Sequence, residues 1–111
     1  MSKYNNRRQS LNGFTFDSQA EAHRYTELVL RERAGEIHGL RVHPSYVLQE
    51  SFRDSSGKLW APITYVLDFS YFEGEGLVCE DVKGFRTSDW RMKQKLFLKR
   101  YPMYTLRIVD V

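Results

Sequence analysis

The sequence predicts an α/β domain built on a central mixed sheet, in the order helix, three meandering strands, helix, strand, with the helices flanking the sheet. Three observations carry this. Ser18-x-x-Glu21 opens an apolar stripe at helical spacing. Three strand-like stretches, roughly 37–52, 59–72 and 77–83, follow with turn residues between them. A second capped helix then leads into Tyr104-Thr105-Leu106-Arg107-Ile108-Val109, which reads as a last strand.

Each element has its own local cause. Residues 1–12 are polar and Asn/Arg-rich and read as a flexible basic arm, leaving 13–111 as one domain. Gly13-Phe14-Thr15-Phe16 is a short extended lead into the first helix. The Ser18 hydroxyl can accept from the Glu21 amide while Glu21 reaches back, and Ala22, Tyr25, Leu28 and Val29 supply the buried stripe. Gly35 is a natural stop. The first strand stretch breaks at Pro44. Asp54-Ser55-Ser56-Gly57 and Gly74-Glu75-Gly76 supply the turns between stretches. Thr87, Ser88 or Asp89 can cap the second helix, which runs to about Arg100 with Trp90, Phe97 and Tyr101 on one face and ends before Pro102. Because that helix is a crossover, the last strand should lie parallel to the 77–83 strand.

Composition narrows the class. The chain has 111 residues, enough for one modest core, and is 41% hydrophobic and 14% aromatic, too apolar for a disordered segment. No apolar run approaches the ~20 residues of a membrane span, and the N-terminus lacks an apolar signal segment. A single cysteine, Cys79, excludes an internal disulfide framework and a cysteine-based zinc site. The expectation is a soluble cytoplasmic protein with no membrane partner.

The net charge of +3 matters less than its distribution. Residues 83–100 hold Lys83, Arg86, Arg91, Lys93, Lys95, Lys99 and Arg100 against one acid, Asp89, and the first 12 residues add Lys3, Arg7 and Arg8 with none. Residues 73–81 carry Glu73, Glu75, Glu80 and Asp81 and no base. Basic segments of this density suit a phosphate backbone, although a solvated helix face is the commoner meaning of a charge run alone. Carboxylates beside phosphates gain nothing unless a metal ion sits between them.

Two acids interrupt apolar strands. Asp68 is the only charge in Ile63-Thr64-Tyr65-Val66-Leu67-Asp68-Phe69-Ser70-Tyr71-Phe72. A lone carboxylate there costs several kcal/mol of desolvation unless a cation or strong donors offset it, and a salt bridge or turn cap would also do so. In Leu77-Val78-Cys79-Glu80-Asp81-Val82-Lys83-Gly84, alternation sets Leu77, Cys79, Asp81 and Lys83 on one face and Val78, Glu80 and Val82 on the other. Antiparallel pairing about the Gly-Glu-Gly turn can bring Asp68 opposite or diagonal to Asp81. Two such carboxylates form the hard-oxygen site that Mg²⁺ or Mn²⁺ takes, the Val82 carbonyl can add a ligand, and Lys83 would stand beside the metal. Glu21 reads equally as the helix cap or as a third acid facing the sheet. His23, His38 and His43 share no spacing with a metal partner. Glu80 is expected to be solvated or paired with a base, and Cys79 to be packed. Trp90 and the tyrosines are expected in the core, with stacking on bases the less common role.

This arrangement resembles the PD-(D/E)xK, or restriction-endonuclease-like, nuclease superfamily. Asp68 matches its acid on the second core strand, Asp81-Val82-Lys83 its acid-x-Lys on the third, and Glu21 its helix acid. The usual proline before the first acid is replaced by Leu67; that proline contributes backbone shape and no ligand. More narrowly, the chain is similar to short phage and prophage proteins of this superfamily, through Lys3-Tyr4-Asn5-Asn6, Gly13-Phe14-Thr15-Phe16-Asp17-Ser18 with Glu21 and Tyr25, Tyr65-x-x-Asp68-Phe69-x-Tyr71, Glu80-Asp81-Val82-Lys83-Gly84 and Arg91-x-Lys93-x-Lys95.

The resemblance implies a Mg²⁺- or Mn²⁺-dependent endodeoxyribonuclease encoded by a phage or prophage and acting in the host cytoplasm. Holliday-junction resolvases and transposon end-cleaving subunits belong to the same superfamily, so branched or junction DNA is the implied substrate, in replication, recombination or packaging. Asp68, Asp81, Lys83 and Glu21 would be catalytic, with Asp68, Asp81, Glu21 and Val82 as metal ligands. Lys93, Lys95, Arg91, Arg86, Lys99, Lys3, Arg7 and Arg8 would hold the DNA. A domain this small covers few base pairs, which suits a homodimer, though no sequence feature specifies one. The competing classes are a non-catalytic nucleic-acid-binding module that keeps the fold, and a protein-interaction subunit.

Overall fold

The computed structural model describes residues 8–83 and 87–110. Their chain order is β1 (Gln9–Leu11), β2 (Phe14–Phe16), α1 (Gln19–Arg33), β3 (His38–Val42), β4 (Ser45–Gln49), β5 (Phe52–Arg53), β6 (Leu59–Trp60), β7 (Ile63–Val66), β8 (Phe69–Glu73), β9 (Gly76–Lys83), α2 (Ser88–Arg100) and β10 (Thr105–Asp110). The protein is thus a mixed α/β structure. Four strands form the central sheet in the order β10-β9-β8-β3, and β1-β2, β4-β7 and β5-β6 are separate two-stranded pairs. β3, β8 and β9 pair antiparallel, and β10 returns parallel to β9 after α2, as the crossover predicts.

Both helices start and stop where the sequence says. Ser18 is the N-cap of α1: its Oγ accepts from the Glu21 amide at 3.2 Å and its hydroxyl donates to Glu21 Oε2 at 3.3 Å. At the other end Gly35, at φ +79°, donates to the Glu32 carbonyl, while the Glu36 amide donates to that of Arg31. These two bonds close the left-handed turn for which glycine carries no steric cost. Thr87 caps α2, with Oγ1 accepting from the Trp90 amide at 3.1 Å.

The strands depart from the expected three long stretches. The first is divided at His43-Pro44 and again before Phe52, the second at Ala61-Pro62 and at Leu67-Asp68. Proline offers no amide to a ladder, so both proline positions end pairing. Pro44 divides β3 from β4 and the break at Leu67-Asp68 divides β7 from β8, so β4 and β7 lie outside the central sheet and pair with each other, with Ser45 opposite Val66. At the tip of the β5–β6 hairpin, Asp54 accepts from the Ser56 hydroxyl and the Trp60 indole, which hold its carboxyl down to about 2. The N-terminal arm also needs correction. Residues 9–11 are strand β1, joined to β2 by Asn12-Gly13 at φ +51° and +84°, with Leu11 opposite Phe14. Asn-Gly takes positive φ at both turn positions readily, and this fits the twist of a two-residue hairpin. Residues 1–7, the rest of that arm, lie outside the described residues.

Two cores sandwich the sheet. On the α1 face, Phe16, Ala22, Tyr25, Leu28 and Ile37 pack on Phe69, Tyr71, Val78 and Val82. On the other, Trp90 and Phe97 of α2 pack with Leu48, Tyr65, Leu67 and Cys79. Strand alternation in β9 decides which residue meets which helix. Glu80, fully buried, faces α1, where Arg24 grips it through Nε at 2.8 Å and Nη2 at 2.6 Å and the Tyr71 hydroxyl also donates. Arg107 Nη1 stands 3.9 Å away. This is the pairing with a base expected for Glu80, and it ties α1 to β9 and β10. Replacing Arg24 by Leu strands a buried carboxylate and should lower the unfolding free energy by about 3 kcal/mol, measured from the urea midpoint; an unchanged midpoint would contradict this role for the pair.

Candidate functional site

Asp68 sits at the bend between β7 and β8 and is held from three sides. Its amide donates to the Glu80 carbonyl at 3.1 Å, its carbonyl accepts from the His43 amide at 2.9 Å, and its Oδ2 accepts from the Val82 amide at 2.6 Å. The β8–β9 register pairs Phe69 with Glu80, so one further step sets Asp68 across from Asp81. Burial, the hydrogen bond with Asp81 and the charge of Glu21 push the Asp68 carboxyl far above the ordinary carboxylate range, while the Val82 amide pulls the other way.

Asp81 faces α2, as alternation requires, and is almost fully buried. Its Oδ2 accepts from the Tyr65 hydroxyl and, at 2.8 Å, from the Trp90 indole. Burial, and then the contact with Asp81, raise the Tyr65 phenol so that it remains a donor. Lys83 shares this face with its Nζ 3.6 Å from Asp81 Oδ2. Lys83 also lines a cleft of about 350 Å³ with Thr64, Val66, Thr87, Asp89, Trp90 and Lys93.

Glu21 serves as the helix cap and also stands beside Asp68. Its amide and carboxylate engage the Ser18 cap, and a carboxylate oxygen lies in a group with Asp68 and His43 whose ligand atoms are all within 4.8 Å of one another. His43, which local spacing leaves without a partner, lies beside Asp68. The pairing of Val42 with Phe69 carries on to set His43 beside Asp68, a relation between distant segments that no local spacing could reveal. His38 stacks on Phe72 and His23 is exposed on α1. Sequence reasoning also missed Tyr65 and Trp90 as donors to Asp81. Cys79 is packed as expected, 3.5 Å from the Tyr46 hydroxyl. At Val82 it is the amide that engages an acid.

The basic residues divide between two sides of α2. Lys93 shares the Lys83 cleft, whereas Arg91 and Lys95 line a separate groove of about 550 Å³ with Gln94 and Ile108. Lys99 is exposed. Arg8 lies 3.9 Å from Asp17, both largely exposed, and Lys3, Arg7 and Arg86 fall outside the described residues. Among the described residues no helix is long and apolar enough to cross a membrane.

Fold and site together define a mixed α/β protein with a cluster of acids, flanked by a lysine and a histidine, at one end of its central sheet. Residues 1–110 match the family described as "Protein of unknown function (DUF1064)", and the chain belongs to that family. No curated protein matches it.

The state of Asp68 leads to a test. A carboxyl raised in the folded state holds its proton there, so its contribution to stability is full below the unfolded value near ~3.9 and is lost as pH rises through the folded value. Asn keeps an oxygen for the Val82 amide and carries no charge. In chelator, Asp68→Asn should raise the unfolding free energy at pH 8 on the order of 1–2 kcal/mol and flatten the decline of stability between pH 5 and pH 8. Denaturant titrations at several pH values measure both, and a variant as pH-sensitive as the wild type would contradict the assignment.

Proposed function

We propose that this protein is a divalent-metal-dependent endodeoxyribonuclease with a restriction-endonuclease-like core. One observation carries the reading: the β8–β9 register sets Asp68 across from Asp81, with the Lys83 ammonium 3.6 Å from Asp81. The element order α1, β3, β8, β9, α2, β10, with β10 parallel to β9, supports the fold assignment, the β4–β7 pair being an excursion between β3 and β8.

The donor set fits a hard divalent cation. Asp68 and Glu21 offer carboxylate oxygens close to each other, Asp81 stands across the β8–β9 register from Asp68 on the α2 side, and the Val82 carbonyl lies next in the chain. In the absence of a cation the acids offset one another by retaining a proton on Asp68, which a metal would displace. When bound, such an ion supplies charge neutralisation at the phosphate and a water of lowered pKa.

The chain's own groups do the rest. Tyr65 and Trp90 fix the rotamer of Asp81 from below, so its carboxylate is aimed before substrate arrives. Lys83 holds positive charge where a scissile phosphate gathers negative charge, and orients the attacking water. Lys93, in the same cleft, binds a neighbouring phosphate. Arg91, Lys95 and Lys99 extend the contact along the backbone, and the N-terminal Lys3, Arg7 and Arg8 add to it. Branched DNA is the proposed substrate, with Mg²⁺ or Mn²⁺ as cofactor.

A cleavage assay on linear, nicked, flapped and four-way DNA tests this, with Mg²⁺, Mn²⁺ or chelator. The wild type should cut only with metal; Asp68→Ala and Asp81→Ala should abolish cutting, and Lys83→Ala should slow it by about 100-fold or more. Equal cutting by all four proteins would overturn the site. Tight DNA binding without cutting in any metal would assign the chain to the non-catalytic binding class instead.

A further inference from the structure

His43 has no task in the account above, yet it stands at the acids. It follows β3 directly, its side chain exposed and its backbone at φ +54°, and its amide donates to the Asp68 carbonyl at 2.9 Å. The ring lies 5.7 Å from that of Phe16 at an interplanar angle of 53°, which gives one side of the imidazole an apolar backing. A ring nitrogen, a Glu21 oxygen and an Asp68 oxygen lie within 4.8 Å of one another. Two ligands on opposite sides of one small ion are separated by about 4.2 Å, twice a metal–ligand distance of ~2.1 Å. Minor rotamer adjustments therefore bring all three atoms onto one ion.

We propose that His43 gives this centre a nitrogen ligand, so that the protein selects Mn²⁺ over Mg²⁺. The inference rests on the metal-dependent reading above and goes beyond it in naming the ligand and the metal. Mg²⁺ demands oxygen ligands and keeps its waters, whereas an imidazole beside carboxylates suits a first-row transition ion. His43 is exposed, whereas Asp68 is half-buried, so the imidazole would meet the ion from the more solvent-accessible side of the group.

The experiment uses the full chain with Mn²⁺ and no DNA. Pulsed electron paramagnetic resonance reads nitrogen coupled to the bound ion, and calorimetric titration reads affinity for Mn²⁺ and Mg²⁺. Wild type should show coupling to one imidazole nitrogen, and labelling its histidines with ¹⁵N should convert that signal, with no substitution needed. His43→Asn, chosen because asparagine tolerates positive φ, should still bind Mn²⁺, lose the coupling and weaken Mn²⁺ at least about 10-fold with little change for Mg²⁺. Mn²⁺ bound in an Asp68-dependent way without nitrogen coupling, or with coupling that survives His43→Asn, would overturn the inference and leave the nuclease reading standing. Wild type that binds neither ion would overturn both.

Discussion

The bond from the Val82 amide to the Asp68 carboxylate is the interaction on which the site depends. It forms where β8 begins, and it replaces the backbone acceptor that a continuing strand would have offered. The chain is thereby released to turn, and β7 leaves to pair with β4 on the α2 side. The same bond fixes a carboxyl against Asp81 that would otherwise swing into solvent. Strand break and acid position are therefore linked at one contact, because without the acid the break leaves a buried amide unpaired.

Neighbouring acids on β9 are treated in opposite ways. Glu80 is neutralised within the protein by Arg24, with Tyr71 and Arg107 close by, and so contributes to holding α1 in place. Asp81 receives neutral donors from Tyr65 and Trp90, and its nearest cation, Lys83, is half-exposed at the cleft. A buried carboxylate neutralised by a part-buried arginine has little left for a ligand, whereas one held by hydrogen bonds keeps its charge available. Strand alternation separates the two tasks with a one-residue step. Because α1 bears both Arg24 and Glu21, the Glu80 pair also sets where the third acid stands.

Much of this was legible in the residues. The caps at Ser18 and Thr87, the stop at Gly35 and the alternation of Asp81 with Glu80 are local, and local physics decided them. Asp68 stood out because a charge in an apolar run needs an explanation. Three features were harder to read. Asn12-Gly13 carries a strong hairpin signal, but it straddles the boundary between the polar segment 1–12 and the extended lead that begins at Gly13. The division of the 59–72 stretch at Leu67-Asp68 depends on a side chain competing for a ladder amide, which periodicity does not register. His43 reaches Asp68 through the register of β3 on β8, and Trp90 and Tyr65 reach Asp81 from other elements; such meetings are set by tertiary packing, not by spacing along the chain.

The central claim is that Asp68 and Asp81 share one divalent ion. Anomalous scattering from crystals soaked in Mn²⁺ tests it most directly. The account predicts a single strong peak at bonding distance from carboxylate oxygens of both residues. A peak bonded to neither, or none at saturating metal, would contradict it.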